Sequence, residues 1–263
     1  MTPEREIHLR NLYESLRDLT EGQIGWVQTV VEQFHKPASF HRSTDSDIIN
    51  ECVLQDFGDA LRIHHCFSKE AFTKDKFEYA LVRVLNLCGI PAALASRGNP
   101  GHDITIGGVR FSLKTQANKG ISSRYLHISK FMELGRGTWT DQDEDFIGLR
   151  EQFFTHMNAY DRILSLRRLR STRTYSWHYE LVEIPKSLLL EARNGVLRVM
   201  HTSRQFPKPA YYDVTDSIGI SKFQLYFDAG GERKLQIKAL KKTYCPVHAE
   251  WLFETSLSET DAV

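Results

Sequence analysis

Apolar residues recur at helical spacing through the first fifty positions: Leu9, Leu12, Tyr13, Leu16 and Leu19, then Ile24, Val27, Val30, Val31 and Phe34. Lys36-Pro37 and Ser43-Thr44-Asp45 interrupt that pattern. The spacing therefore predicts two helices that form a cap or arm. Residues 47–62 predict another short helix, ended before His64-His65-Cys66. From Ser68 to Leu87 the inner face carries Phe72, Phe77, Ala80, Leu81, Val84, Leu85 and then Cys88. That helix takes Ser68 as its N-cap and stops at Gly89-Ile90-Pro91. Ile147 to Leu166 predicts a second long helix, and Ser187 to Ala192 a short one closed by Asn194-Gly195.

Alternation replaces helical spacing in the segment Asn99 to Gln116. Gly107-Gly108 supplies the two positive-φ positions of a two-residue hairpin turn, so Ile106 pairs with Val109, Ile104 with Phe111 and Asp103 with Ser112. One face is then apolar (Ile104, Ile106, Val109, Phe111, Leu113). The other carries Asp103, Thr105, Arg110, Ser112, Lys114 and Gln116. Further strands are predicted from Arg124 to Met132, Ser176 to Ile184, Phe223 to Phe227, Arg233 to Leu240 and Ala249 to Phe253. This order predicts an α/β chain, a mixed β-sheet flanked by helices with an N-terminal helical arm. The expected division is a helical region over 1–62 packed on a core of 63–256, with a flexible tail at 257–263.

The chain has 263 residues, 41% hydrophobic and 25% charged, which suits one globular α/β domain or a core with a satellite. No run of ~18 apolar residues occurs and the N-terminus is charged from the start, so a membrane span or secretory signal is not expected. Cys52, Cys66, Cys88 and Cys245 follow no framework spacing and are expected to be reduced thiols in a cytoplasmic protein. The net charge is +1, so any nucleic-acid surface must concentrate its positive charge locally.

An acid beside a lysine, at the end of a sheet with a greasy back, can hold a divalent metal and orient a water for phosphodiester hydrolysis. Asp103 and Lys114 are that pair. Their alternative is a surface ion pair worth ~0–1 kcal/mol. Ser112 stands where a second carboxylate would be most natural, since Mg²⁺ prefers carboxylates and water. Glu78, on the helix before the hairpin and next to the buried stripe, can supply the missing charge. Equally, it can pair with Arg83, or with Lys74 at the favourable four-residue spacing. His64, His65 and Cys66 with Cys245 and His248 offer a weaker zinc reading. Basic residues cluster over Arg162–Arg173, where a solvated helix face is the default. A second cluster, Arg233, Lys234, Lys238, Lys241 and Lys242, follows Gly230-Gly231 and is the better DNA candidate.

Asp, a spacer, then x-Leu-Lys on adjacent strands resembles the PD-(D/E)XK nuclease core. It departs in the Gly101-His102 insertion after Pro100 and in Ser112 at the acidic slot. More specifically, the chain resembles SmaI-like type II restriction endonucleases. The resemblance rests on Asn99-Pro-Gly-His-Asp-Ile-Thr-Ile106, Leu113-Lys-Thr-Gln-Ala117, Ser129-Lys-Phe-Met-Glu-Leu-Gly135, Tyr179-Glu-Leu-Val-Glu-Ile-Pro-Lys186, Glu232-Arg-Lys-Leu-Gln-Ile-Lys238 and His248-Ala-Glu-Trp251, in that order. It implies a restriction-endonuclease-like core and a homodimer that cuts both strands of a short palindrome with Mg²⁺. For the type member that palindrome is CCCGGG, cut to blunt ends.

It further implies metal binding by Asp103, with Glu78 in place of the missing acid, and Lys114 as the catalytic lysine. Gln116 would position water or a phosphate. Ser129, Lys130, Arg233, Lys234 and Lys119 are the candidate DNA contacts, and a companion DNA methyltransferase would protect a bacterial host. Two rival readings are a structure- or methylation-directed nickase or junction nuclease, and a degenerate DNA-binding module, for which Ser112 is the best argument.

Overall fold

In a computed structural model, residues 2–96, 101–118, 121–135 and 139–255 are described. The chain begins with helices α1 (Pro3–Leu16) and α2 (Glu21–Phe34), strand β1 (Ala38–Arg42), and helices α3 (Glu51–Phe67) and α4 (Lys74–Leu87). Strands β2 (Ala92–Leu94), β3 (Ile104–Ile106), β4 (Val109–Gln116) and β5 (Tyr125–Glu133) precede helix α5 (Asp143–Met157). Then come β6 (Arg162–Arg168), β7 (Trp177–Glu183), helix α6 (Lys186–Leu190), β8 (Val196–Val199), β9 (Ala210–Thr215), β10 (Ser221–Asp228), β11 (Lys234–Lys241) and β12 (Val247–Phe253).

The strands form two sheets where the sequence pattern predicted one. A mixed 7-stranded sheet runs β1-β12-β7-β6-β4-β3-β2, and a 5-stranded sheet runs β5-β11-β10-β9-β8. Within the large sheet β4 and β6 are parallel, while its other pairs are antiparallel. One face of that sheet (Phe111, Leu113, Leu166, Leu181, Trp251) packs under α3 and α4, against Phe57, Leu61, Phe77 and Leu81. Each fully buried Leu or Phe contributes roughly 1.5–3 kcal/mol. The opposite face, with Ile163 and Val182, shares a second core with α5 and the smaller sheet. This is a mixed α/β, restriction-endonuclease-like architecture. Among the described residues no helix is long and apolar enough to cross a membrane.

Several boundaries differ from the sequence pattern for local reasons. The helix expected to stop before His64 continues to Phe67, because His65 is fully buried on the sheet-facing side. Its ring stacks on Trp177 at 3.5 Å and meets the Tyr179 hydroxyl at 2.9 Å. Ser68 is therefore the C-cap of α3, not the N-cap of α4. The Tyr179 hydroxyl accepts the Phe72 amide at 3.1 Å and holds that segment extended until Thr73 starts α4. The expected helix over 147–166 is really α5 followed by β6, a strand buried on both faces whose near-continuous apolar run mimics helical spacing.

The boundary expected at residue 62 falls inside α3, and β1 already belongs to the large sheet. Of the N-terminal arm, α1 buries no residue. Helix α2 is anchored through Gln33, whose amide donates to the Glu254 carbonyl and whose own carbonyl accepts from Arg62, both at 2.6 Å. Cysteine pairing is a further correction. Cys52 and Cys88 form a disulfide, with Cα atoms 5.8 Å apart, that ties the start of α3 to the end of α4. Cys66 and Cys245 are free and buried. The tail at 257–263 lies outside the described residues.

Candidate active site

The β3–β4 hairpin has the register its Gly-Gly turn demands. Ile104 pairs with Phe111, Thr105 with Arg110 and Ile106 with Val109, and the turn glycines have φ of 56° and 87°. Val109 alone of the apolar face stays exposed. The Asp103 amide donates to the Phe111 carbonyl at 2.8 Å, which seats Asp103 against the next residues of β4. Its Oδ2 accepts from the Leu113 amide at 2.5 Å and from the Ser112 hydroxyl at 3.3 Å. Ser112, buried at 2% exposure, thus clamps the carboxylate where a second acid would have repelled it.

Asp103 Oδ1 points the other way and accepts from Lys74 Nζ at 2.7 Å. The same ammonium lies 3.2 Å from Glu78 Oε1. Glu78 therefore pairs with Lys74, one of its two sequence readings, and meets Asp103 on the same ammonium. Burial pushes the Glu78 carboxyl up and Lys74 opposes that shift. Two carboxylate oxygens converging on one positive charge, with a hydroxyl behind them, form a hard oxygen donor set. That set fits Mg²⁺.

Asp103 and Lys74 line a cavity of about 490 Å³ with Ser112, Lys114, Lys130 and His156. Lys114 projects from β4 on the face opposite Phe111 and Leu113, as strand alternation requires. Its Nζ donates to the Phe131 carbonyl at 3.2 Å and lies 5.2 Å from that ring. Burial pushes its pKa down to about 8, against the pull of Asp103. The group is thus charged at neutral pH but held there weakly. His156, from α5, faces the same space. Burial first, then the Lys114 charge, lowers its pKa, so it stands as a neutral imidazole.

The other candidates are more dispersed. Gln116 sits behind the cavity: its amide donates to the His127 carbonyl on β5 and its Oε1 accepts from Arg167 at 2.7 Å. With both ends engaged by protein, it braces β4 against β5. Ser129 and Lys130 line the cavity, and Lys130 pairs with Glu133 at 2.9 Å. Lys130 also borders a second cleft of about 730 Å³, which Arg233 lines from the β10–β11 turn. Arg233 lies 5.7 Å from the Trp139 ring, and Lys234 pairs with Glu232 at 3.0 Å. Lys119 lies outside the described residues.

The zinc reading does not hold. His248 is bound to Ser46 at 2.9 Å and Glu183 at 3.0 Å, His64 to the Glu70 carbonyl at 2.9 Å, and His65 to Tyr179. Burial pushes the Cys245 thiol up to about 12. Among the described residues the one metal-like group of His, Cys and acid is Cys52, Asp56 and Cys88, two of them joined by the disulfide. The first arginine cluster is not a solvated helix face. Arg162 pairs with Asp47 at 2.6 Å and Glu183 at 2.5 Å, and Arg167 is buried against Glu180. Sequence reasoning missed His156 as a site residue, since its helix is brought in only by the fold. Lys74 was visible in its four-residue spacing to Glu78, but only as that residue's surface partner.

The family model described as SmaI, type II site-specific deoxyribonuclease, matches residues 12–253. The type II restriction enzyme SmaI of Serratia marcescens is 48% identical over 214 residues, covering 81% of this chain and 84% of the relative. No solved structure matches.

Proposed function

Because the chain belongs to the SmaI family of type II site-specific deoxyribonucleases, we propose that the cavity around Asp103 and Lys114 is its active site. There it performs Mg²⁺-dependent hydrolysis of one phosphodiester bond in each strand of a short palindromic DNA site. The observation that carries this reading is that Asp103 and Lys114 line one cavity, with Glu78 joined to Asp103 through the Lys74 ammonium at its edge. Asp103 and Glu78 would hold the ion, which when bound supplies charge neutralisation at the phosphate and a lower pKa for its water.

The chain's own residues supply the rest. Ser112 and the Leu113 amide fix the Asp103 carboxylate, so one oxygen is preset toward the ion. Lys114, tethered by the Phe131 carbonyl, presents an ammonium where negative charge gathers on the phosphate in the transition state. His156 adds a hydrogen-bonding edge to the wall without adding charge. Gln116 acts at one remove, by holding β4 to β5. Ser129 and Lys130 lead the DNA backbone from the cavity toward Arg233 and Lys234, where guanine edges can be read.

The target proposed from the 48% identity is CCCGGG, cut centrally to blunt ends. A palindrome calls for two-fold symmetry, so the working unit is a homodimer with one cavity per strand. In a bacterial cytoplasm such an enzyme requires a DNA methyltransferase that modifies the same site. The test is a plasmid with a single CCCGGG, incubated with Mg²⁺ or EDTA and with the wild-type chain or Lys114→Ala. We expect blunt linear DNA from the wild type with Mg²⁺ and intact plasmid otherwise. Cleavage undiminished in Lys114→Ala, or an uncut plasmid in every arm, overturns the reading.

A further inference from the structure

Lys74 is not part of the nuclease motif, yet it sits at the motif's focus. Its Nζ is 2.7 Å from Asp103 Oδ1 and 3.2 Å from Glu78 Oε1. Asp103 has no other oxygen to offer an ion from this side, because its Oδ2 faces the Leu113 amide and the Ser112 hydroxyl. A divalent ion held by Asp103 and Glu78 would take the place between the two carboxylates where the Lys74 ammonium now sits. The ion and the ammonium would therefore compete for the same pair of carboxylates.

We propose that Lys74 is a resident counter-ion that occupies the divalent-metal position in the metal-free protein and is exchanged for the metal on loading. The inference rests on the site assignment above. Without an ion, two half-buried carboxylates would face each other, and the lysine relieves that repulsion. The stem of Lys74 springs from the first turn of α4 and its side chain is 41% exposed, so the ammonium can swing outward without disturbing the core. The released charge stays at the rim of the cavity, in reach of a phosphate next to the one being cut. Metal loading and the gain of a phosphate contact are thereby one event.

The test is Mn²⁺ binding to the full chain without DNA, followed by the spin-resonance signal of the free ion. Wild type, Lys74→Met, Lys74→Gln and Asp103→Asn are compared. Removing the competing ammonium should tighten Mn²⁺ binding about tenfold, the factor that one or two partly exposed ion pairs amount to. Asp103→Asn should abolish binding. Equal or weaker binding in both Lys74 variants, with binding still lost in Asp103→Asn, overturns the exchange and leaves the site assignment standing. No binding in the wild type, or binding indifferent to Asp103→Asn, overturns both. Should the variants fail to fold, the Lys74 ammonium can be followed in the wild-type chain by nitrogen-15 resonance. A signal unmoved by saturating Mg²⁺ overturns the exchange as well.

Discussion

Lys114 is a charge kept in the interior against its own solvation. Its pKa in the folded chain is about 8, against 10.5 in an ordinary setting. Below pH 8 the group is protonated in both folded and unfolded chains, so the burial cost is fully present. Between about pH 8 and 10.5 the folded form is neutral while the unfolded form still binds the proton, and that cost fades as pH rises. Lys114→Met should therefore be more stable than wild type by about 3 kcal/mol at pH 7, with the margin shrinking toward pH 10. Urea unfolding at the two pH values checks this, and a margin that does not change with pH would contradict it. At this scale much of the site was legible from the chain alone. Gly107-Gly108 fixes the register that brings Asp103 beside Ser112, and alternation then turns Lys114 to the same side. The position of Lys74 between Asp103 and Glu78 and the entry of His156 were not legible, because each joins residues from separate elements.

Among the elements, β6 decides whether the site has a frame. It lies against β4 in parallel register, Lys114 opposite Ser165 and Gln116 opposite Arg167. Arg167 is fully buried and spends its guanidinium on Gln116, Glu180 and the carbonyls of Ser122 (2.6 Å) and Tyr125 (2.8 Å). It thereby joins β4, β7 and the start of β5. Arg167→Met should destabilise the fold by about 3 kcal/mol, because Glu180 would be left buried with Lys242, at 2.7 Å, as its one remaining ion-pair partner among the described residues. Thermal unfolding measures that loss, and a change near zero would show that apolar packing replaces the network. The same strand shows why the sequence pattern misled. Ile163, Leu164 and Leu166 are apolar on both faces, so period-2 alternation vanishes and the run extends the spacing of α5. Short β2 and the strands β8 and β9 escaped for a different reason: pairing with a neighbour defines them more than their own composition does.

For the whole molecule, the two-sheet layout was hidden because strand order is a long-range property. β5 follows β4 in sequence yet leaves the large sheet to pair with β11, and no local pattern records that choice. In the proposed homodimer, function at this scale depends on two cavities acting on one palindrome. Dimers reassembled from wild-type and Lys114→Ala chains should nick one strand of the site, and the mixed population should give nicked circles where wild type gives linear DNA. Linear product alone from verified mixed dimers would mean that one cavity serves both strands. The layout has a further consequence for how the enzyme comes into being. Lys114 leans on Phe131 of β5, and β5 is held in place by β11 (Lys234–Lys241), more than a hundred residues downstream. A nascent chain emerges from the ribosome N-terminal end first. Until its last strands are out, it carries Asp103 and Lys114 without the wall that aims them. If the proposed site is the catalytic one, a nascent chain cannot cut DNA before β11 has emerged and seated that wall.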